Sequence, residues 1–189
     1  MKIGCVIMAG GKSSRMGRDK ALLEMNGKNF IGMLAEELDC FEEKLIARGN
    51  NSELPEIAWK TILDVYQDRG PIGGLHAALS VCESDALFCV SCDMPLLKSS
   101  LAKTLCDALK DDVDAVIAKA ADGRIHPMCA VYRKKIASVL ETQILDGNNR
   151  IMSAFEKLNV KYVSIDFEKS SQQLLNVNTP EDYRALKKK

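Results

Sequence analysis

The chain has 189 residues, of which 47% are apolar and 28% charged, as is typical of a globular protein with a buried core. Its 26 Lys and Arg balance 26 Asp and Glu, which excludes the basic bias of proteins that coat nucleic acid or lie on anionic membranes. No apolar run reaches about 18 residues, so no membrane-spanning helix is predicted. We predict one domain over residues 1–189.

Strand-like and helical segments alternate along the chain. Short apolar runs predict strands at 3–8, 44–47, 61–63, 86–91, 114–118, 128–132 and 162–165. Apolar residues at helical spacing predict helices at 30–41, 73–82, 101–109, 134–145, 150–158 and 180–186. This alternation favours a three-layer, Rossmann-like α/β fold with a mainly parallel sheet, whose ligands bind beyond the carboxyl ends of the strands.

The seven cysteines lie mostly in apolar runs, and their number is odd. Buried free thiols in a reducing compartment fit this pattern better than disulfides, and no signal peptide is evident, so we expect a cytoplasmic protein. Cys89 and Cys92 form a C-x-x-C pair at the end of a predicted strand, where positions three apart point to opposite faces. We interpret both as packing residues, because no second pair is present to complete a zinc site.

The segment MAGGKSSRMGRDK, residues 8–20, follows the first predicted strand and has the features of a phosphate-binding loop. Gly10 and Gly11 allow backbone N–H groups to approach an anion closely. Arg15 and Lys20 suit the oxygens of a polyphosphate. The pattern is neither a P-loop nor a dinucleotide fingerprint. Because the loop lies at the ligand edge of the predicted sheet, we interpret it as a nucleotide site rather than as a solvated basic turn.

Two downstream positions are candidates for binding Mg²⁺. Asp93 directly follows a predicted strand, and Mg²⁺ bound to phosphates usually takes one or two protein carboxylates. The alternative is an Asp that turns the chain before Pro95. Asn176 and Asn178 precede the last predicted helix and would share a face in an extended backbone, where the Asn178 amide oxygen could complete the metal shell.

Three further features have both a structural and a functional interpretation. Gly70-Pro-Ile-Gly-Gly74 is either a helix start or a backbone that approaches a flat base. His126 is expected in a turn or in contact with a second substrate, since a phosphate nucleophile needs no base near neutral pH. His76, inside a predicted helix, is interpreted as structural.

Six stretches together resemble the nucleotidyltransferases of the sugar-1-phosphate nucleotidyltransferase fold and, more narrowly, the molybdenum cofactor guanylyltransferase family. In chain order they are AGGKSSRMGRDK, LLEMNGK, GPIGGL, CDMP, HP and NVNTPED. The resemblance implies transfer of GMP from GTP to molybdenum-bearing molybdopterin, with Mg²⁺ as cofactor and pyrophosphate as the second product. The alternatives are a related enzyme that uses CTP on molybdopterin or an NTP on a sugar or polyol phosphate, and a non-catalytic nucleotide-binding regulator.

The resemblance also implies roles for individual residues. Catalysis is assigned to Arg15, Lys20 and Asp93; nucleotide binding to Met8, Ala9, Gly10, Gly11, Lys20, Asp64, Gly70, Gly74 and Asp93; and Mg²⁺ binding to Asp93 and Asn178. His126 and Asn176 are candidates for contact with the second substrate. A family member has Asn at the end of the second strand, where this sequence has Arg48. Partners are expected to be transient, namely proteins that supply the cofactor and molybdoenzymes that receive it, with no nucleic acid or membrane.

Overall fold

The computed structural model describes residues 1–10, 22–49, 54–166, 168 and 172–187. The strands are β1 (Ile3–Met8), β2 (Glu24–Met25), β3 (Lys28–Asn29), β4 (Lys44–Arg48), β5 (Lys60–Leu63), β6 (Ala86–Ser91), β7 (Ala115–Lys119), β8 (Ile125–Arg133) and β9 (Val160–Ser164). The helices are α1 (Phe30–Glu37), α2 (Pro71–Val81), α3 (Ser99–Asp107), α4 (Ala137–Leu145), α5 (Ile151–Ala154) and α6 (Pro180–Lys187).

Seven strands form one sheet in the order β5-β4-β1-β6-β8-β7-β9. Six of them run parallel, and β8 is antiparallel to both of its neighbours. Only residues 120–124 join β7 to β8, and a parallel crossover needs a dozen residues or more, so this connection can only be a hairpin. The predicted α/β fold with a mainly parallel sheet is confirmed.

Helices cover both faces of the sheet because strand side chains alternate between them. Val6 and Met8 of β1 pack in a cluster with apolar residues of α2 and α4, whereas Cys5 and Ile7 pack in a cluster with those of α1 and α3. Cys89 belongs to the first cluster and Cys92 to the second, which confirms their interpretation as packing residues. All seven cysteines are free thiols. Within the described ranges, no helix has the length and apolarity to cross a membrane.

The predicted elements are confirmed with shifted boundaries. The helix predicted at 30–41 ends at Glu37, and the helix predicted at 134–145 is a 3₁₀ turn, Lys134–Ile136, followed by α4. The hairpin β2–β3 was not predicted, although Asn26-Gly27 is a strong signal for it. Both residues have positive φ, 53° and 77°, as a two-residue type I′ turn requires.

A third apolar cluster attaches the carboxyl-terminal segment to this hairpin. Leu23 and Phe30 pack against Val177 and Leu186, and the rings of Phe30 and Tyr183 meet edge to face with their centroids 6.0 Å apart. This packing brings the chain before α6 back across the end of β6. It therefore places residues 174–178 next to the edge of the sheet that was predicted to bind ligand.

Candidate active site

The ends of four parallel strands meet at one edge of the sheet. Met8, the last residue of β1, pairs with Ala47 of β4, and the N–H of Ala9 donates to the carbonyl of Ala47 at 2.8 Å. On the other side, the N–H of Cys92 donates to the carbonyl of Met8 at 3.0 Å. Residues 8–10 therefore leave the sheet between the ends of β4 and β6, as the sequence predicts for a nucleotide-binding loop.

The close approach of two chain segments explains the glycine at position 10. A Cβ atom on Gly10 would lie 2.9 Å from the backbone nitrogen of Gly49, which cannot move aside as a flexible side chain can. Gly11, Arg15 and Lys20 lie outside the described residues, and their roles stay predictions. The position of Gly10 shows that the segment carrying them starts at the ligand edge.

Asp64 follows β5 and packs against the first turn of α2. Its Oδ1 and Oδ2 atoms lie 3.3 Å and 3.5 Å from the positions that Cβ atoms would take on Gly74 and Gly73. The carboxylate thus packs closely on both glycines, and a Cβ at position 74 would press on Oδ1. Burial raises the pKa of Asp64 to about 6, because the ionised form loses part of its hydration. A desolvated carboxylate is stabilised by hydrogen-bond donors, which a bound ligand can supply.

The glycines around α2 confirm the helix start that the sequence analysis gave as one of two interpretations. Gly70 has a φ of +69°, and the space around its missing side chain is open. At Gly74, a Cβ would come within 2.7 Å of the Met8 Cε atom. Pro71 begins the helix, and no side chain in the described residues caps it. Gly74 therefore lets α2 approach β1, while Gly70 allows the left-handed backbone that starts the helix.

Asp93 lies in the turn after β6 and touches the carboxyl-terminal segment through its main chain. Its carbonyl accepts a hydrogen bond from the N–H of Val177 at 2.8 Å, and its side-chain Oδ1 atom is buried. Asn176 and Asn178 flank Val177 on either side. The fold therefore brings the segment with the two asparagines next to Asp93, and a metal site shared by their side chains stays a prediction.

A reciprocal cap holds Asn178 in place. Asp182 Oδ2 accepts hydrogen bonds from the N–H groups of Asn178 and Thr179 at 3.0 Å and 2.9 Å, and the N–H of Asp182 donates to Thr179 Oγ1 at 3.1 Å. Two side chains thus satisfy the donors at the start of α6, as in a capping box. The predicted helix start at Thr179-Pro180 is confirmed, and it fixes the backbone next to Asp93.

A pocket of about 460 Å³ opens beside the segment that bonds to the main chain of Asp93. Both Asn176 and Asn178 line it, which confirms that they face the same side. Its other walls are Ala120, Ala121, Asp122, Arg124, His126, Leu174, Leu175 and Asp182. The Oδ1 atom of Asn176 is buried and accepts no hydrogen bond within the described part of the chain. Asn176 therefore holds a buried acceptor, unpartnered among the described residues, in the wall of the pocket.

His126 lies inside β8, so the expectation of a turn is wrong. It pairs with Ala118 where the β7–β8 register shifts, and only 6% of it is exposed. Burial, followed by the positive charge of Arg124, lowers the pKa of His126, while Asp122 and Asp93 act weakly in the opposite direction. His126 is therefore neutral at neutral pH and provides one donor and one acceptor to the pocket.

The donor atoms at this edge suit Mg²⁺. Asp93 and Asn178 provide carboxylate and amide oxygens, which are hard ligands. No group of three or more His, Cys, Asp or Glu side chains that could hold a metal occurs among the described residues. Mg²⁺ commonly completes its shell with substrate phosphates and water, so the two oxygens fit an ion that binds together with a nucleotide.

Sequence reasoning missed Asp122 and Arg124, two charged residues that line the pocket, and left open the role of Arg48 at the end of β4. Asp122 and Arg124 form an ion pair of 2.7 Å in the β7–β8 connection, where charged residues look like an ordinary solvated turn. Arg48 ends β4 beside Leu63 of β5, and its Nε atom is buried with no hydrogen-bond partner among residues that the structure describes. Its location at the ligand edge could be predicted, but its buried donor could not.

Comparisons with a protein family, with individual sequences and with solved structures agree with one another. Residues 5–161 match the family described as MobA-like NTP transferase domain. A Clostridium perfringens protein named "Probable molybdenum cofactor guanylyltransferase" is 31% identical over 100% of this chain and 98% of its own, and a Vibrio campbellii "Molybdenum cofactor guanylyltransferase" is 33% identical over 94% and 91%. The crystal structure of "Molybdopterin-guanine dinucleotide biosynthesis protein A" from Archaeoglobus fulgidus superposes with a TM-score of 0.81 at 25% identity, covering 100% of this chain and 97% of that one.

Proposed function

This chain belongs to the MobA-like NTP transferase domain family and is a nucleotidyltransferase, and from that premise we propose that it transfers GMP from GTP to molybdenum-bearing molybdopterin. One observation carries the proposal: the turn at Asp93 bonds to two regions of the chain, since Cys92 donates to Met8 of β1 and the Asp93 carbonyl accepts from Val177. Residues 8–10, Asp64 and α2 form one region, and the pocket lined by His126 and Asn176 forms the other. A transferase of this kind needs a place for each of two substrates on either side of the reacting phosphorus.

The nucleotide is proposed to bind at the ends of β1, β4 and β5. The N1–H and the 2-amino group of guanine are adjacent donors, and a carboxylate such as Asp64 can accept from both. Cytosine presents only its 4-amino donor on the corresponding edge, so part of the site would stay unpaired. Each unpaired buried polar group costs about 1–3 kcal/mol, and two such losses correspond to about 100-fold or more in discrimination. Hydrogen bonds to Asp64 would therefore favour GTP over CTP as the substrate.

The triphosphate is proposed to extend from the base towards Asp93. Arg15 and Lys20 follow Gly10 in the chain, and their role would be to stabilise charge on the phosphates. Asp93 and Asn178 would hold Mg²⁺, which when bound supplies positive charge to phosphate oxygens. Residues 8–11 would seat the nucleotide through backbone N–H groups.

The acceptor is proposed to occupy the pocket lined by His126 and Asn176. Its terminal phosphate has a second pKa of about 6 and is largely dianionic at pH 7, so it needs no general base. A phosphate oxygen of the acceptor attacks the α-phosphorus of GTP, the bond to the β-phosphate oxygen breaks, and pyrophosphate leaves. The neutral His126 and the Asn176 amide would orient the acceptor by hydrogen bonds. Release to molybdoenzymes, through transient contacts, completes the proposed role.

The direct test measures transfer from each of the four NTPs to molybdopterin, with the dinucleotide product identified by mass and pyrophosphate release followed in parallel. We expect kcat/KM for GTP to exceed that for CTP at least about tenfold, and by about 100-fold if both donor contacts to Asp64 form. Equal values, or a preference for CTP, would overturn the guanylyl assignment and leave the family membership intact. Binding of nucleotide without any transfer would favour the regulator instead.

A further inference from the structure

The residues on either side of Asp64 in the chain are only weakly held by apolar packing. Leu63 and Val65, its neighbours in the chain, are 58% and 61% exposed. The preceding strand β5 has four residues and pairs with β4 at the edge of the sheet. A carboxylate that packs precisely against Gly73 and Gly74 therefore needs another anchor close by in the chain.

Tyr66 provides two contacts that can act as this anchor. Its hydroxyl donates to Oε1 of Glu141 on α4 at 2.8 Å, a bond that joins segments 75 residues apart. The same bond raises the pKa of the Tyr66 hydroxyl, so the phenol stays protonated and remains a donor. The carbonyl of Tyr66 lies 3.0 Å from the position that a Cβ of Gly73 would take, so its main chain packs on the turn of α2 that Asp64 also contacts.

The Tyr66 ring packs on a buried, neutral histidine. The rings of Tyr66 and His76 are tilted by 52°, with their centroids 5.3 Å apart, and His76 is 4% exposed. Ser80 donates its only hydroxyl proton to the carbonyl of His76 at 2.8 Å, so the Nε2–H of His76 donates to Ser80 Oγ at 3.2 Å. Nδ1 is then the unprotonated nitrogen, in agreement with a pKa of His76 that burial lowers.

We propose that Tyr66, held by Glu141, is a positioning residue that fixes the Asp64 carboxylate for contact with the base of the nucleotide. This inference rests on the proposed function. The main chain of Tyr66 packs on the α2 turn that Asp64 also contacts, so we assign Tyr66 a role through Asp64 and not a contact with the nucleotide. Its loss should weaken GTP binding and spare the chemical step, which takes place beside Asp93.

The experiment measures the Kd of GTP by calorimetry in a double-mutant cycle of Tyr66→Phe and Asp64→Asn. Tyr66→Phe keeps the ring on His76 and removes only the hydroxyl. We expect it to raise the Kd about five- to tenfold, which is within the range for the loss of one ordinary hydrogen bond. In the Asp64→Asn background the same change should alter the Kd less than about twofold, because the group being positioned is no longer a carboxylate.

Two further variants separate positioning from general destabilisation. Glu141→Gln retains an oxygen that accepts from Tyr66 and should bind GTP within about twofold of the wild type. Tyr162→Phe removes a hydroxyl from an exposed tyrosine on β9, at the opposite edge of the sheet, and should change nothing. Thermal unfolding of each unliganded variant measures stability independently of binding, and kcat at saturating GTP should stay within about twofold of the wild type in Tyr66→Phe.

Each outcome decides the proposal. An unchanged Kd in Tyr66→Phe, with or without a lower Tm, would show that the bond is purely structural. Equal losses in the wild-type and Asp64→Asn backgrounds would show that Tyr66 does not act through Asp64. Failure of the proposed function is distinct, because the unmodified protein would then show no preference for GTP over CTP. A clear GTP preference that Tyr66→Phe leaves intact would overturn only the positioning role.

Discussion

Replacing Asp64 with Asn should stabilise the unliganded protein and weaken GTP binding. The substitution keeps the shape of the side chain and removes its charge. Burial of that charge raises the pKa of Asp64 from 3.8 to about 6, so the folded state binds the proton more tightly than the unfolded state does. An ionised Asp64 therefore lowers the free energy of unfolding, and an uncharged amide does not.

The size of the effect follows from the pKa. A shift of one pKa unit corresponds to about 1.36 kcal/mol. The rise from 3.8 to about 6 therefore sets an upper limit of about 3 kcal/mol on the gain in the free energy of unfolding. Asp64 is partly accessible to water, which screens its charge, and we expect about 1–2 kcal/mol. For a chain of this length, that corresponds to a rise in Tm of about 2–8 °C at neutral pH.

The direction of the Asp64 pKa shift determines the pH range over which the two proteins differ in stability. Below pH 3.8 Asp64 is protonated in both the folded and the unfolded state, and its charge costs no stability. As pH rises from 3.8 through about 6, the unfolded state releases its proton first, and the stability of the wild type falls relative to that of Asp64→Asn. The difference between the two proteins should be fully developed above about pH 7, small near pH 4 and absent well below pH 3.8.

The assay is chemical denaturation of both proteins between pH 4 and pH 8, with Asp112→Asn as a control that removes an exposed carboxylate before β7. GTP binding is measured by calorimetry on the same samples. Because an amide cannot accept from both guanine donors, we expect the Kd to rise about 10- to 100-fold in Asp64→Asn. A variant that gains no stability at pH 7.5 relative to pH 4, or one that binds GTP normally, would refute this reasoning.

Four further substitutions test the remaining assignments. Asp93→Asn should fold normally and lower kcat by about 100-fold or more, with a higher Mg²⁺ requirement; normal turnover at limiting Mg²⁺ would remove Asp93 from the metal site. Arg15→Ala and Lys20→Ala should weaken GTP more than GMP in calorimetry, since their proposed partners are the β- and γ-phosphates; equal losses for both nucleotides would place them elsewhere. Gly74→Ala should fold, because the Met8 Cε atom at 2.7 Å is the end of a flexible side chain, but it should displace the carboxylate at 3.3 Å and lower kcat/KM for GTP more than for CTP. A parallel loss for both nucleotides would argue against a role in base choice.

Local signals in the sequence were sufficient for much of the fold. Apolar runs predicted the strands of the large sheet because buried parallel strands are apolar on both faces. Thr179-Pro180 predicted the start of α6, since capping depends on a few neighbouring residues. Asp93 could be placed at the ligand edge for a similar reason, as it directly follows a buried strand. The Asn26-Gly27 signal for the small hairpin was equally local but was overlooked.

Contacts between distant segments depended on the tertiary structure. No local pattern indicates that Val177 donates to Asp93, that Tyr66 donates to Glu141, or that Gly10 packs against Gly49. His126 was placed in the wrong kind of segment because a histidine before proline resembles a turn, whereas the register of β8 against its neighbours decides its position. The sequence thus determined which residues reach the ligand edge, since strand ends are local. The tertiary structure decided which of them meet and how deeply they are buried, because burial and pairing depend on the packing of residues far apart in the chain.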